Sequence, residues 1–244
     1  MKQVADYAEL GRHIMRCMKP GFLTNCTLSG SELRERSLIG SVWDGGVQLL
    51  ERTPTGYYLR YYCLNPDAPE PLPDRTVCET VLRPGQTDDV LGQWGLMPLF
   101  RRLRLERPAG QAKAPAPVPP VDAEQVLALL HRNFNPETGC LPTLAELEAA
   151  GAEGRLLYRL HNGVPAAVLH VRPGKGAWEL RHLAVDGPYR GQGLARSLTE
   201  ELTERFGDRK LRVWVREDLP SARHIYEQYG FVPDGYTAVV RRKG

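Results

Sequence analysis

Apolar positions recur at helical spacing in four stretches of the second half of the chain and at strand spacing in between. From Gly191 to Phe206, Leu194, Leu198, Leu202 and Phe206 fall on every fourth residue and Gly207 follows, which predicts one long helix with an apolar stripe and a glycine stop. Residues 122–133 and 143–150 predict two earlier helices, opened by the capping residues Asp122 and Thr143. Ser221 to Tyr229 predicts a fourth, with Ala222, Ile225, Tyr226 and Tyr229 on one face. Leu156–Leu160 and Ala166–Val171 predict strands joined across Asn162-Gly163, two residues that accept the positive φ of a tight hairpin turn. Trp178–Val185 and Leu211–Val215 predict two more strands, and Phe231 to Arg241 a closing pair of short ones. The order ααβββαβαββ is that of a mixed α/β fold.

The first half reads as an abbreviated version of the second. A strand, turn and strand (Val47–Arg52 and Tyr57–Leu64 across Thr55-Gly56) precede Leu91-Gly-Gln-Trp-Gly-Leu-Met-Pro98, which can be laid over Tyr226-Glu-Gln-Tyr-Gly-Phe-Val-Pro233. The first half lacks a counterpart of the long helix and its glycine turn, so the pattern is that of a duplicated module with one degenerate copy. Between Arg107 and Val121 prolines stand at 108, 115, 117, 119 and 120, predicting an extended connector. The expected domains are therefore 1–107, a linker over 108–121, and 122–244. In Phe100–Arg107, Leu103 and Leu105 alternate with Arg102, Arg104 and Glu106, which predicts a half-buried strand with a charged outer face, as edge strands often have.

Composition then narrows the class. With 244 residues, 42% hydrophobic and 25% charged, the chain has enough apolar material for one or two cores, and disorder is excluded. Five scattered cysteines without a C-x-x-C pair argue against a disulfide framework and a cysteine-rich zinc site, and the histidine spacing shows no metal motif. No long apolar run or secretory leader is visible, so a cytoplasmic location is expected. A formal net charge of +3 argues against nucleic acid and anionic membranes as partners.

One stretch carries chemistry. Val185-Asp-Gly-Pro-Tyr-Arg190-Gly191-Gln192-Gly193-Leu194-Ala195 lies between a strand and the long helix. Glycines there remove Cβ atoms from the path of a ligand, the N–H groups of the first helical turn have no partners within the helix, and the helix dipole favours an anion at that end. G-x-x-x-x-G-K-[ST] is absent, and G-x-G-x-x-G is only half present because Arg196 stands where its third glycine belongs. What fits is R-x-x-G-x-A, formed by Arg190, Gly193 and Ala195. Together with Ala222-x-x-x-Tyr226-x-x-x-Gly230-Phe231 and the order of elements, it resembles the GNAT superfamily of N-acetyltransferases over about residues 122–242. Leu219 departs from the Asn that many members carry there.

The resemblance implies the acyl-CoA N-acyltransferase fold in a tandem arrangement with a truncated first copy, and acetyl-CoA as cosubstrate with no metal. It implies that Leu183, Ala184, Val185, Arg190, Gly191, Gln192, Gly193, Leu194, Ala195, Arg196, Ser221 and Tyr226 hold the cosubstrate. Tyr226 would return a proton to the departing thiolate. Glu179 is the expected base, on the strand face of Val185 because 179, 181, 183 and 185 alternate together, and its competing reading is an ion pair with Arg181. His182 is the reserve base and is placed on the opposite face unless a bulge intervenes. The expected acceptor is a primary amine of a small molecule or peptide, and the expected assembly a monomer with an internal pseudo-dimer, or a homodimer. Transfer of another acyl or aminoacyl group and a non-catalytic acyl-CoA sensor remain open.

Overall fold

The computed structural model describes residues 1–67, 70–113 and 121–244. The hairpin glycine turn illustrates how local chemistry sets the frame. Asn162 and Gly163 both take positive φ (51° and 79°), so β8 (Leu156–His161) folds straight back onto β9 (Val164–Gly174). The other strands and helices of this half are α3 (Ala123–Asn133), α4 (Leu144–Ala152), β10 (Ala177–Val185), α5 (Leu194–Phe206), β11 (Leu211–Arg216), α6 (Pro220–Gln228) and β12 (Val232–Lys243). Before them come β1 (Lys2–Gln3), α1 (Tyr7–Cys17), β2 (Leu23–Thr24), α2 (Gly30–Arg34), β3 (Leu38–Trp43), β4 (Gly46–Thr53), β5 (Gly56–Cys63), β6 (Thr76–Leu82), a 3₁₀ turn over Asp89–Trp94, and β7 (Leu96–Arg107).

The chain forms two units, one of residues 1–101 and 236–244, the other of residues 102–235. The division differs from the expected domains because β7 and β12 each contribute to both. In the first unit the strand order is β1-β3-β4-β5-β6-β12, with β2 also on β5; β12 pairs antiparallel with β6 from Thr237↔Leu82 to Arg242↔Val77. In the second it is β7-β11-β10-β9-β8; β7 pairs antiparallel with β11 from Arg107↔Leu211 to Arg102↔Arg216. The last strand of each half of the sequence thus completes the sheet of the other unit. Half of the expected linker, residues 114–120, lies outside the described residues. Just before it, Gly110 and Lys113 donate backbone N–H groups to the carbonyls of Gly207 and Glu204, both at 2.7 Å.

Two cores sandwich the sheet of the second unit. On one face α5 and α6 bury Leu198, Leu202 and Tyr226 against Leu105, Leu169, Leu180 and Val213. Leu198 and Leu202 are fully buried, each contributing roughly 1.5–3 kcal/mol of transfer free energy. On the other face α3 and α4 set Val126, Leu129, Leu130 and Leu147 against Leu156, Val168 and Ala184. Asp122 caps α3 through the N–H groups of Glu124 and Gln125, and Thr143 with Glu146 forms a capping box on α4.

Three sequence expectations are corrected. Phe231 to Arg241 forms one long strand, β12, rather than a pair, because Gly235 (φ 85°) bends the chain without reversing it. Gly207 ends α5 in a right-handed conformation (φ −75°), so it is not a left-handed stop. The charges of β7 do not form a solvated outer face: Glu106 accepts from Lys210 (2.8 Å) and Arg212 (2.6 Å), and Arg104 pairs with Asp234 (2.6 Å). In the first unit α1, α2, β3, β4 and β5 precede β6, which pairs parallel with β5; in the second α3, α4, β8, β9 and β10 precede β11, which pairs parallel with β10. Among the described residues no helix stands between β5 and β6, where the second unit has α5 between β10 and β11. No helix among the described residues is long and apolar enough to cross a membrane.

Candidate functional site

The glycine turn is built from the end of β10 outward. Asp186 accepts the Gly187 N–H, residues Gly187–Tyr189 make one 3₁₀ turn, and Gln192 Nε2 donates to the Pro188 carbonyl at 3.2 Å. Gly191 and Gly193 take φ of 77° and 79°, and a Cβ on either would meet no atom within 4 Å. Packing therefore does not require these glycines. They are required by the left-handed backbone, and they leave the approach to the helix end open. Ser197 N–H to the Gly193 carbonyl (2.9 Å) opens α5, so the N–H groups of Leu194, Ala195 and Arg196 precede the first intrahelical bond.

A cavity of ≈ 410 Å³ lies at this helix end and brings together Val185, Arg190, Gly191, Gly193, Leu194, Ala195, Arg196 and Ser221 of the residues expected from sequence. Leu183, Ala184, Gln192 and Tyr226 are not on its wall. Tyr189 and Ile225 are, although no motif marks them. Arg190 is held in place by donating to the Val185 carbonyl (3.2 Å) and to Asn133 Oδ1 (2.8 Å). Beside it Arg132 pairs with Asp186 at 3.0 Å, which holds that carboxyl below its usual range. Orphan N–H groups, a helix dipole, two open glycines and an oriented guanidinium fit an anionic diphosphate such as that of an acyl-CoA.

β10 supplies the rest of the site. It pairs with β11 only from Trp178↔Leu211 to Leu180↔Val213, while its other edge continues along β9 to Val185↔Ala167. Beyond Leu180, then, β10 parts from β11. At the same point the register with β9 shifts between Leu180 and His182, so Arg181 is the extra residue of a bulge. The bulge reverses the alternation. Trp178 and Leu180 share a core with Leu183 and Val185, while Ala184 belongs to the opposite core. This corrects the expected placement of Glu179. It lies on the face of His182 and Ala184 and does not share the Val185 face.

Glu179 is engaged by Arg172 (Nη2 at 2.9 Å, Nε at 3.0 Å) and Arg212 (3.7 Å). His182 is 2% exposed, its Nε2 donates to the Gly139 carbonyl at 3.0 Å, and its Nδ1 lies 3.5 Å from that of His170. Burial pushes both imidazoles down, to about 4, so both are neutral at pH 7. Tyr226 is buried against Phe231, and burial raises its phenol, which keeps its proton.

Residues 123–231 match the family described as the acetyltransferase (GNAT) family. This segment is a GNAT domain. Solved structures similar to the chain include a GCN5-related N-acetyltransferase from Sphaerobacter thermophilus (15% identity, 98% of this chain and 93% of that one, TM-score 0.58). Others are a GNAT acetyltransferase from Colwellia psychrerythraea (12%, 99% and 98%, 0.52) and a GCN5-related N-acetyltransferase from Kribbella flavida (17%, 86% and 90%, 0.51). No curated protein matches the sequence. The solved structures show the mixed α/β fold, and the family match places residues 123–231, a little under half of the chain, with the acetyltransferases.

Proposed function

We propose that this protein moves an acetyl group directly from acetyl-CoA to a primary amine of a small molecule or peptide. The observation that carries this reading is the open glycine turn at the head of α5, with three orphan N–H groups and the tethered Arg190 at a ≈ 410 Å³ cavity. The diphosphate of acetyl-CoA sits on that turn, and its acyl arm runs along the β10 edge that β11 leaves free. Backbone N–H groups near Leu183 and Val185 polarise the acyl carbonyl, where a donor aimed at developing oxyanion charge is most effective.

The amine nitrogen attacks the carbonyl carbon, the C–S bond breaks, and the thiolate takes the Tyr226 phenol proton. Burial raises the phenol, so it holds its proton before the step and gives it up only as the thiolate charge develops. Glu179, held by two guanidiniums, and His182, held to Gly139, keep the site in shape, the amine gives its surplus proton to solvent, and the Tyr226 phenolate takes one back from solvent to close the cycle. Amines titrate near pH 10, so this scheme has a rate that rises with pH. The first unit, which also sets two helices and an antiparallel run of strands before a parallel strand, is read as a degenerate copy of the second. Incubating the protein with acetyl-CoA and a panel of primary amines, and following free thiol, tests the reading: amine-dependent release of CoA supports it, and release with no amine of the panel refutes it.

A further inference from the structure

A second cavity, of ≈ 280 Å³, lies on the His182 face of β10, opposite the face of Val185. Its size is at the small end of ligand pockets, which suits a metabolite of few atoms rather than a folded peptide. Its lining holds three guanidiniums, those of Arg155, Arg172 and Arg181, and one carboxylate, that of Glu146. Glu146 is already used: its Oε2 accepts the Thr143 N–H at 2.7 Å and hydroxyl at 3.1 Å to close the cap of α4. Arg172 is oriented by Glu179, and Arg155 by Glu153 (2.7 Å) and the Val171 carbonyl (3.2 Å).

The neutral imidazoles of His170 and His182 add no charge of their own. After burial, the groups that push them down include Arg155, Arg172 and Arg181, while Glu146 opposes this at His170 and the Gly139 carbonyl at His182. The tautomers follow from the bonds. A carbonyl only accepts, so His182 carries its proton on Nε2, His170 donates from Nδ1 to His182 Nδ1, and His170 Nε2 is left as an acceptor. The cavity therefore offers cations for an anion and a lone pair for an N–H. Arg181 is also the bulge residue at which β10 parts from β11, which sets this wall beside the strand edge where transfer is placed.

Resting on the transfer reading above, we infer that this cavity is the acceptor site and that its occupant is a small amine bearing a carboxylate, an amino-acid-sized molecule whose carboxylate is held by Arg181 and Arg155. A guanidinium fork matches a carboxylate in a bidentate pair, which gives orientation as well as attraction.

Matched amines test this with the full chain and acetyl-CoA: amino acids and ω-amino acids against their own carboxamides, and 2-aminoethyl phosphate as a different anion. The expected result is a kcat/KM at least tenfold higher for the carboxylate of each pair, carried mainly by KM, which is what losing one charge-assisted hydrogen bond removes. Arg181→Met and, separately, Arg155→Met collapse that preference, and Arg181→Lys keeps part of it. Carboxamides turned over as well as acids, or 2-aminoethyl phosphate preferred to every carboxylate, would overturn the inference while leaving the transfer reading intact. Ligand-detected NMR with N-acetyl amino acids needs no turnover: a signal present in the wild type and lost in either methionine variant supports the anion site even where no amine is acetylated, and a wild type without a signal overturns it.

Discussion

Gly193 and Gly163 form a matched pair that separates backbone strain from ligand binding. Both have φ of 79°, and a Cβ on either would meet no atom within 4 Å. Alanine at either position forces an L residue into the left-handed region, which costs roughly 1–2 kcal/mol, with no clash to add to it. For a chain of this size that corresponds to a fall in Tm of about 2–8 °C, the same for both variants. Only one of them borders the cavity. At Gly193 the methyl stands at the mouth of the turn, where it holds a diphosphate away from the N–H groups of Leu194, Ala195 and Arg196. Losing one charge-assisted hydrogen bond there, at about 1.5–3 kcal/mol, weakens acetyl-CoA binding about tenfold to a hundredfold. Gly163, in the β8–β9 hairpin, has no such role. Thermal unfolding and calorimetric titration of Gly193→Ala and Gly163→Ala check both numbers. Equal stability losses with unequal affinity losses are expected; a Gly193→Ala variant that binds acetyl-CoA as the wild type does would refute the reasoning.

Other outcomes follow from the same geometry. Tyr226→Phe lowers kcat with little change in acetyl-CoA affinity, and an unaltered kcat in steady-state assays would remove the phenol from the mechanism. A fragment of residues 121–244 lacks the stretch of β7 that pairs with β11 from Arg102 to Arg107, including the fully buried Leu105, and is expected to melt below room temperature by circular dichroism. A cooperative melt above 40 °C would show that the fragment folds without that strand. His170 and His182 titrate lower in the folded protein than the unfolded imidazole value of about 6.5, so the unfolded chain binds more protons between that value and about 4. Their contribution is complete above about pH 6.5 and is lost as the pH falls toward 4. Urea midpoints should decline over that window, and a flat profile would contradict the buried neutral pair.

Much of the second unit was legible because its signals are local. Capping residues, the Asn162-Gly163 turn and the Leu198/Leu202 stripe each act within a few residues, and the glycine turn carries its meaning in its own backbone. What escaped sequence reasoning depends on strand pairing over long separations. The bulge at Arg181 inverts a simple alternation and moved Glu179 to the other face; nothing in Trp178–Val185 marks it. β7 and β12 pair with strands more than 100 residues away along the chain, and no local pattern marks either pairing. Asn133, which steadies Arg190, ends a helix without a motif. Arg155 and Arg172 carry no motif, and only the fold brings them to one cavity with Arg181.

The central claim is that an acyl-CoA is held by the backbone at the head of α5. Amide hydrogen exchange with and without acetyl-CoA tests it most directly. Protection of the N–H groups from Gly191 to Arg196, with unchanged exchange across the Asn162-Gly163 hairpin, is the predicted result. Binding that leaves those amides exchanging at their free rate would contradict it.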